Sequence, residues 1–329
     1  MVTLVNLSRR KKPCYLEIRS LGMAVILFMG YWLGRWHAEI TRRAHRSTTR
    51  AVRQLNPPLV SKESKQGWHT IDVFYGDRKR LESSMIPKGK DTKFAQAHQD
   101  AVILALLRNK TDGYFLDLAS NDATRLSNTY RLERYYGWRG LCMEPNPMYW
   151  SNLTSLRNCT IVGAVIGNDE RMHEVYFRFG ANIQGGITGT GFDNGREYRH
   201  ESQPRYTIPL REVLLRFNAP KYIDYLSLDV EGAEEYILHN FLTSEASKVT
   251  GGFTIAILTI ERPKKSLEQL LQSLGYTLLQ KLTNWGETLW AHSSVIANLD
   301  LNAMEEVVKN AAIQDKEEAR QKRLEKTKS

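Results

Sequence analysis

Apolar residues recur in two alternating patterns from residue 94 onward. Segments 94–109 and 266–275 place them at helical spacing, whereas 113–120 and 222–230 are short, continuous apolar runs typical of buried strands. The same criteria predict further helices over 127–137, 148–158 and 211–218, and further strands over 140–147, 159–167, 172–180 and 254–262. Strands that alternate with helices predict an α/β fold with a mostly parallel sheet and helices on both faces.

Two features end this domain. Only "TNWG" separates the apolar segment 276–282 from 287–295, which predicts an antiparallel pair containing the last strand. Residues 300–329 are charged and helical in pattern. The glycine-rich segment 181–195 has no periodicity, and we expect either a lid over a bound acceptor or a mobile loop.

The segment "SLGMAVILFMGYWLG", residues 20–34, is uncharged and flanked by basic residues. A full membrane span needs about 20 apolar residues, so this one is short. We predict a single membrane anchor, with a signal peptide or an organelle transit peptide as alternatives. The chain then divides into a basic tail (1–19), the anchor (20–34), a basic linker (35–70), the main folded domain (71–299) and the helical tail (300–329).

An anchor of this kind predicts a lumenal domain in the endoplasmic reticulum or Golgi, and a transit peptide predicts a mitochondrion or plastid instead. In a lumen, three Asn-X-Ser/Thr sequons would be open to glycosylation: Asn109, Asn152 and Asn158. A fourth, Asn6, would lie across the membrane. Of the cysteines, Cys142 and Cys159 are expected as small buried side chains in strands, with a disulfide between them as the less favoured alternative.

The net charge of +10 does not indicate nucleic-acid binding. Residues 1–60 hold 11 of the 46 Lys and Arg residues but only 2 of the 36 acidic ones, which leaves the rest of the chain at +1. A nucleic-acid domain is expected to carry its own basic face. We therefore predict no nucleic-acid partner.

Acidic and polar side chains follow three predicted strands. Asp117 precedes Asn121 and Asp122, Glu144 ends the next strand, and Asp229 and Glu231 follow "YIDYLSL". Ligands bind at the carboxyl ends of parallel strands. An acid at the end of the second strand of a strand–helix–strand unit can accept hydrogen bonds from both hydroxyls of a ribose, so the spacing suggests an adenosine-type cofactor.

These residues resemble a known family. The stretch "GYFLDLASNDATRLSNTYRLERYYGWRGLCMEPNP" followed by "YIDYLSLDVEGAE" is similar to the FkbM-type methyltransferases, and the resemblance covers about residues 94–295. It implies a Rossmann-like, seven-stranded methyltransferase sheet and S-adenosylmethionine as cofactor. It also implies methyl transfer to a hydroxyl of an acceptor, often a carbohydrate.

Carried over by position, the resemblance implies a set of cofactor-binding residues: Asp117, Ala119, Asn121, Asp122, Asn128, Glu144 and Asp229. It places Asp229 and Glu231 beside the acceptor hydroxyl as catalytic residues, expected to project to the same side. The family usually has glycine where Ala119 and Ala123 stand, and glycine permits positive φ. Those alanines are the support for a non-catalytic binding protein as an alternative function. A nicotinamide-dependent oxidoreductase is a weaker one, because "LASNDA" lacks the GxGxxG pattern.

Structural roles compete with several of these assignments. Glu231 and Glu234 could stabilise the dipole of the following helix, which is the expected role of Glu234. Acids in this stretch could also hold a divalent cation, although we favour a site without metal. Glu261 and Arg262 are expected to pair with each other or with a neighbour, and Trp285 and Trp290 to lie in the core.

Overall fold

The computed structural model describes residues 71–75, 93–168, 173–179, 184–246 and 252–326. The chain divides into two units, Met1–Asp72 and Val73–Ser329. Among the described residues, no helix is both long and apolar enough to cross a bilayer. The predicted anchor at 20–34 lies outside these residues, and so do the basic tail and the linker up to residue 70.

The described residues form twelve strands. They are β1 Asp72–Tyr75, β2 Tyr114–Leu118, β3 Arg139–Met143, β4 Thr160–Gly163, β5 Val165–Gly167, β6 Glu174–Arg178, β7 Gly186–Ile187, β8 Ser202–Pro209, β9 Tyr222–Leu228, β10 Thr254–Glu261, β11 Tyr276–Lys281 and β12 Glu287–His292. The helices are α1 Gln99–Leu106, α2 Tyr130–Tyr136, α3 Pro147–Leu156, α4 Leu210–Arg216, α5 Glu234–Ala246, α6 Lys265–Ser273, α7 Ser293–Ile296 and α8 Leu301–Lys326, with a 3-10 helix at Arg196–Glu201.

The main sheet has eight strands in the order β1-β4-β3-β2-β9-β10-β12-β11. Strands β4, β3, β2, β9 and β10 pair in parallel, while β12 runs antiparallel to both β10 and β11. The mixed α/β class and the antiparallel pair at the end of the domain are confirmed. The expectation of seven strands is wrong, because β1 adds an eighth strand at the edge.

A second sheet of four strands, in the order β5-β8-β6-β7, was not expected from the sequence. The apolar run 159–167 predicted one strand, but it is divided at Ala164 into β4 of the main sheet and β5 of the second sheet. Strand β8 escaped prediction because its first half is polar and contains Pro204. This smaller sheet contributes one wall of the cavity described below.

The core lies between the main sheet and two groups of helices. Helix α1 contacts α2 and α8, and the side chains of Val102, Phe115 and Trp138 are fully buried in this cluster. Helix α5 contacts α4 and α6, and it packs against strands β10 and β5. Burial of large apolar side chains against the sheet is the main contribution to folding, at roughly 25 cal/mol per Å² removed from water.

Cys142 of β3 and Cys159, just before β4, form a disulfide. Both are buried, as predicted. The disulfide, which was the less favoured expectation, is present. The two strands pair in parallel, with Cys142 opposite Ile161, which brings the two sulfur atoms together across the ladder.

Candidate active site

Four parallel strands end at the same edge of the main sheet. Strands β2, β3, β9 and β10 pair in register, so Leu118, Met143, Leu228 and Glu261 mark one edge. Two concave regions open there: an apolar cavity and a polar pocket. Asp229 lines the pocket and the next residue, Val230, lines the cavity, so the turn after β9 borders both.

The cavity is formed by the ends of β2 and β3, by residues of the second sheet and by α5. Its walls are mostly apolar, and Glu144 carries the only ionisable group among the residues that line it. Gly186 of β7 allows close packing at this wall, because a Cβ atom there would lie 2.8 Å from Nδ2 of Asn194 and 3.2 Å from Cβ of Glu231.

The carboxylate of Glu144 is held by two backbone amides. Asn121 N donates to Oε2 at 2.8 Å and Asn146 N donates to Oε1 at 2.7 Å. Burial raises the pKa of Glu144 to about 7, and the charge of Asp117 adds to the effect. Each carboxylate oxygen has the capacity to accept a further hydrogen bond, so a diol that entered the cavity would find two acceptors. These residues therefore fit the ribose of an adenosine cofactor.

The turn after β2 adopts the backbone conformation for which glycine is usual. Ala119 has φ of 62° and Asn121 has φ of 48°, and Asn121 Nδ2 donates to the carbonyl oxygen of Ala119 at 3.1 Å. Both residues line the cavity. Alanine thus occupies a left-handed position at a cost of roughly 1 kcal/mol or more. Ala123 is fully buried and is not among the described residues with positive φ.

The polar pocket is lined by Asn128, Asp229, Glu261, Glu287 and Trp285, together with Gln96, Gln99 and Leu126. Asn128 Nδ2 donates to Ser227 Oγ at 2.9 Å, while its Oδ1 is buried without a hydrogen-bond partner. Trp285 is 47% exposed, so the expectation that it lies in the core is wrong; Trp290 is fully buried, as expected.

Carboxylates dominate this pocket. Oxygen atoms of Asp229, Glu231 and Glu261 lie within 4.8 Å of one another, and Glu287 stands directly opposite Glu261 in the sheet. Burial and the neighbouring Glu261 raise the pKa of Asp229 well above its usual range. Burial raises the pKa of Glu231 and of Glu287 to about 7, with Glu261 contributing in both cases. Glu231 and Glu287 therefore tend to retain protons near neutral pH.

A guanidinium group borders the cluster. The guanidinium of Arg262 lies 3.0 Å from Glu261, 3.3 Å from Glu231 and 2.7 Å from Asp193. The pairing of Glu261 with Arg262 was expected. Asp229, Glu231 and Glu261 could together hold a divalent cation, but Arg262 Nη2 already occupies oxygens of Glu231 and Glu261, so an ion would compete with it.

Through Arg262 the cluster is connected to the segment Gly189–Asn194, which we call the strap. Asp193 N donates to the carbonyl oxygen of Glu231 at 3.1 Å, and Lys264 Nζ donates to that of Gly191 at 2.6 Å. Gly232 has φ of 90°, and a Cβ there would lie 2.6 Å from Asp193 N. The strap belongs to the glycine-rich segment for which a lid or a mobile loop was expected, and residues 181–183 of that segment lie outside the description.

The remaining predicted residues have other surroundings. Asp117 is buried away from both concavities, accepts a hydrogen bond from Thr129 Oγ1 and faces Arg157. Asp122 accepts from the backbone of Thr124 and Arg125 and so stabilises a turn. In each case the interactions are internal to the protein, and cofactor contact stays a prediction.

The acids after β9 also differ in role. The strand ends at Leu228, so Asp229 and Glu231 converge from a turn rather than from alternate positions of a strand, and Glu231 has φ of 54°. Glu234 Oε1 accepts from the amides of Val230 and Gly232 at the start of α5, which is the structural role expected for it.

Sequence reasoning missed Glu261 and Glu287 as members of the site. Glu261 was available as an acid at the end of a parallel strand, the same signal that identified Asp229. Glu287 begins the antiparallel strand β12, and no local pattern brings the start of that strand to this edge.

Residues 117–278 match the family model described as "Methyltransferase FkbM domain". The chain carries a methyltransferase FkbM domain. The resemblance carried by Asp117, Glu144 and Asp229 is thereby confirmed, since all three lie within the matched residues.

Among solved structures, the FkbM domain is similar to a precorrin-6Y C5,15-methyltransferase from Geobacter metallireducens GS-15. The sequences are 12% identical over 60% of this chain and 78% of that chain, with a TM-score of 0.31. At that score the likeness carries no weight for the substrate or the chemistry. No curated protein matches the chain.

Proposed function

We propose that the FkbM domain is an S-adenosylmethionine-dependent O-methyltransferase that methylates a hydroxyl of a sugar or glycan. The observation that carries this proposal is the carboxylate cluster around Asp229, which borders the cavity containing Glu144. A buried acceptor for a ribose diol and a group able to take a proton thus lie at one sheet edge. The family match supports methyl transfer as the reaction class.

The cavity residues would bind and orient the cofactor. Glu144 would accept hydrogen bonds from the two ribose hydroxyls while it keeps its bonds to the amides of Asn121 and Asn146. The turn at Ala119 would bring backbone close to the ligand. When bound, S-adenosylmethionine supplies a methyl group that is activated for in-line displacement by its positive sulfur. Most of the remaining catalytic effect is then positioning of the acceptor.

Asp229 would act as the general base. A carboxylate whose pKa is raised by burial is a stronger base than an ordinary aspartate. The carboxylate of Asp229 would accept the proton that the acceptor hydroxyl loses on methylation, and the sulfur of the cofactor would keep the electron pair of its broken bond to the methyl carbon. Burial keeps the pKa of Asp229 high, and the negative charges of Glu261 and Glu231 raise it further.

The pocket composition favours a sugar acceptor. Carboxylates and the unpaired Oδ1 of Asn128 accept hydrogen bonds from hydroxyl groups, which are the donors that a sugar offers in number. The exposed ring of Trp285 provides an apolar face beside them, suited to the C–H face of a pyranose.

Calorimetric titration of S-adenosylmethionine into the full-length chain tests the cofactor, and transfer of labelled methyl to a panel of sugars tests the acceptor. Glu144→Gln should weaken cofactor binding by about 10- to 100-fold, since hydrogen bonds to a charged group are lost. Asp229→Asn should leave that affinity within about threefold and abolish transfer. Exposed Glu305→Gln is the matched control and should change neither.

The alternatives give different outcomes. Binding of S-adenosylmethionine by a protein that transfers no methyl group to any sugar would favour a non-catalytic binding protein. Binding of a nicotinamide cofactor in place of S-adenosylmethionine would favour an oxidoreductase. A folded protein that binds neither would refute the proposal.

A further inference from the structure

Three sequons lie within the described residues, and each presents its asparagine to solvent. Asn109, Asn152 and Asn158 are all exposed. A glycan is bulky and hydrophilic, so only an exposed asparagine can carry one in the folded protein. Around Asn109 the exposure is continuous, because every residue from 108 to 112 is exposed.

The fold places these asparagines away from the cavity. Asn109 lies in the connection between α1 and β2, and Asn158 lies between α3 and β4. Both therefore precede the amino ends of parallel strands, whereas the cavity is lined by residues at the carboxyl ends of β2 and β3. Five residues of β2 separate the two edges by roughly 15 Å. Asn152 lies within α3, midway between the edges.

An independent observation concerns the compartment. Cys142 and Cys159 are joined in a disulfide, and structural disulfides persist in oxidising environments such as the lumen of the endoplasmic reticulum. N-glycosylation of sequons is a modification of secreted proteins. The same compartment that forms this disulfide thus contains the chemistry that modifies exposed sequons.

Cys159 is also the middle residue of the Asn158 sequon. Once the disulfide has formed, this sequon is bound to β3 and its backbone is held by Glu133, which accepts hydrogen bonds from the amides of Asn158 and Cys159. Disulfide formation and glycosylation therefore compete for this segment, and no such constraint acts on Asn109 or Asn152.

We propose that the domain is N-glycosylated at Asn109 and Asn152, away from the cavity, in the oxidising compartment in which the disulfide forms, and that Asn158 is left largely unmodified. The donor is a lipid pyrophosphate-linked oligosaccharide. The amide nitrogen of asparagine forms a bond to the anomeric carbon, the bond from that carbon to the pyrophosphate oxygen breaks, and the amide loses one proton. No electrons are exchanged. The proposal does not depend on the proposed methyl transfer.

The test is site-resolved mass spectrometry of the full-length chain expressed in a eukaryotic secretory host. Enzymatic removal of glycans in ¹⁸O-labelled water should convert Asn109 and Asn152 to ¹⁸O-aspartate and leave most of Asn158 as asparagine. Thr111→Ala should abolish the mark at Asn109, whereas Thr111→Ser, which keeps the sequon, should retain it. The pair separates loss of the acceptor from misfolding, because both variants alter the same exposed side chain.

Two further readouts complete the test. In denaturant, which exposes both side chains, Cys142 and Cys159 should resist alkylation until a reductant is added. Deglycosylation should change the calorimetric affinity for S-adenosylmethionine, or for the cofactor that the chain is found to bind, by less than about twofold, as expected for a surface change away from the cavity. Unmodified Asn109 and Asn152 in the secretory host would overturn the proposal. So would a glycan on Asn6 alone, or free thiols on both cysteines.

Discussion

Glu261 at the end of β10 lies directly opposite Glu287 at the start of β12. Like charges in directly opposed positions of an antiparallel pair destabilise a sheet. Glu287 is only 4% exposed, and hydrogen bonds from Gln99 and Thr259 do not fully offset its desolvation. A folded protein retains such an arrangement when the carboxyls serve a purpose other than stability, and raised pKa values are typical of functional sites.

The pH dependence of stability follows from the raised pKa of Glu287. Its ordinary pKa of 4.5 applies in the unfolded chain, and its folded value is about 7. Between these values the folded state binds more protons, so stability decreases as pH rises from about 4.5 to about 7 and then levels off. Glu144 and Glu234, also raised to about 7, add in the same direction.

Glu287→Gln should therefore stabilise the domain at pH 8, by on the order of 3 kcal/mol, and leave stability near pH 4.5 almost unchanged. Urea denaturation at both pH values measures this, with Glu305→Gln on the exposed face of α8 as control. Equal effects of Glu287→Gln at both pH values would contradict the assigned pKa.

Arg262 connects the strap to the carboxylate cluster, and its removal should loosen the strap and change the pKa values of the cluster. Arg262→Gln breaks the contacts to Asp193 and Glu231, so amide hydrogens of the strap should exchange at least several-fold faster. The positive charge of Arg262 lowers the pKa of Glu231, so the variant should raise that pKa further. Hydrogen–deuterium exchange of residues 189–194 is the measurement, with exposed Lys309→Gln as control. Unchanged exchange would show that the hydrogen bonds of Asp193 N to Glu231 and of Lys264 to Gly191 hold the strap without Arg262.

Ala119 and Ala123 provide a matched pair for backbone strain. Ala119→Gly should stabilise the domain by about 0.5–1 kcal/mol, because glycine adopts φ of 62° without the steric cost of a Cβ. Ala123→Gly should instead destabilise it, since a buried methyl group is lost and chain entropy is added. The midpoints of chemical denaturation of the two variants measure these changes. A lower midpoint for Ala119→Gly would show that alanine is not strained at that turn.

Arg157 and Glu133 form a fully buried ion pair at 3.3 Å, and Arg157 also donates to Thr129 Oγ1 at 2.7 Å. Arg157→Met removes the guanidinium that faces the buried carboxylate of Glu133, so we expect a loss of roughly 3–5 kcal/mol of stability. The exposed Arg108, paired with Asp300 at 3.5 Å, is the control, and Arg108→Met should cost less than about 1 kcal/mol. Comparable losses in chemical denaturation would mean that burial does not distinguish the two pairs.

Local patterns predicted most elements of the main sheet because each is short and strongly apolar. Strands β2, β9 and β10 and helices α3 and α6 occur where periodicity placed them, with ends shifted by a few residues. Prediction did not separate β5 from β4 within one apolar run, and it missed β8, whose first half is polar. Their pairing depends on partners distant in sequence, and no local pattern encodes that choice.

The sequence alone determined the alternation of strands and helices, the FkbM family and the acids Glu144 and Asp229, because hydrophobic periodicity and motif spacing are local properties of a chain. Only the tertiary structure decided that Glu287 joins Asp229 and Glu261, that Arg262 links them to the strap, and that Cys142 pairs with Cys159. Those contacts join segments up to tens of residues apart, so they exist only once strand order and register bring the segments together.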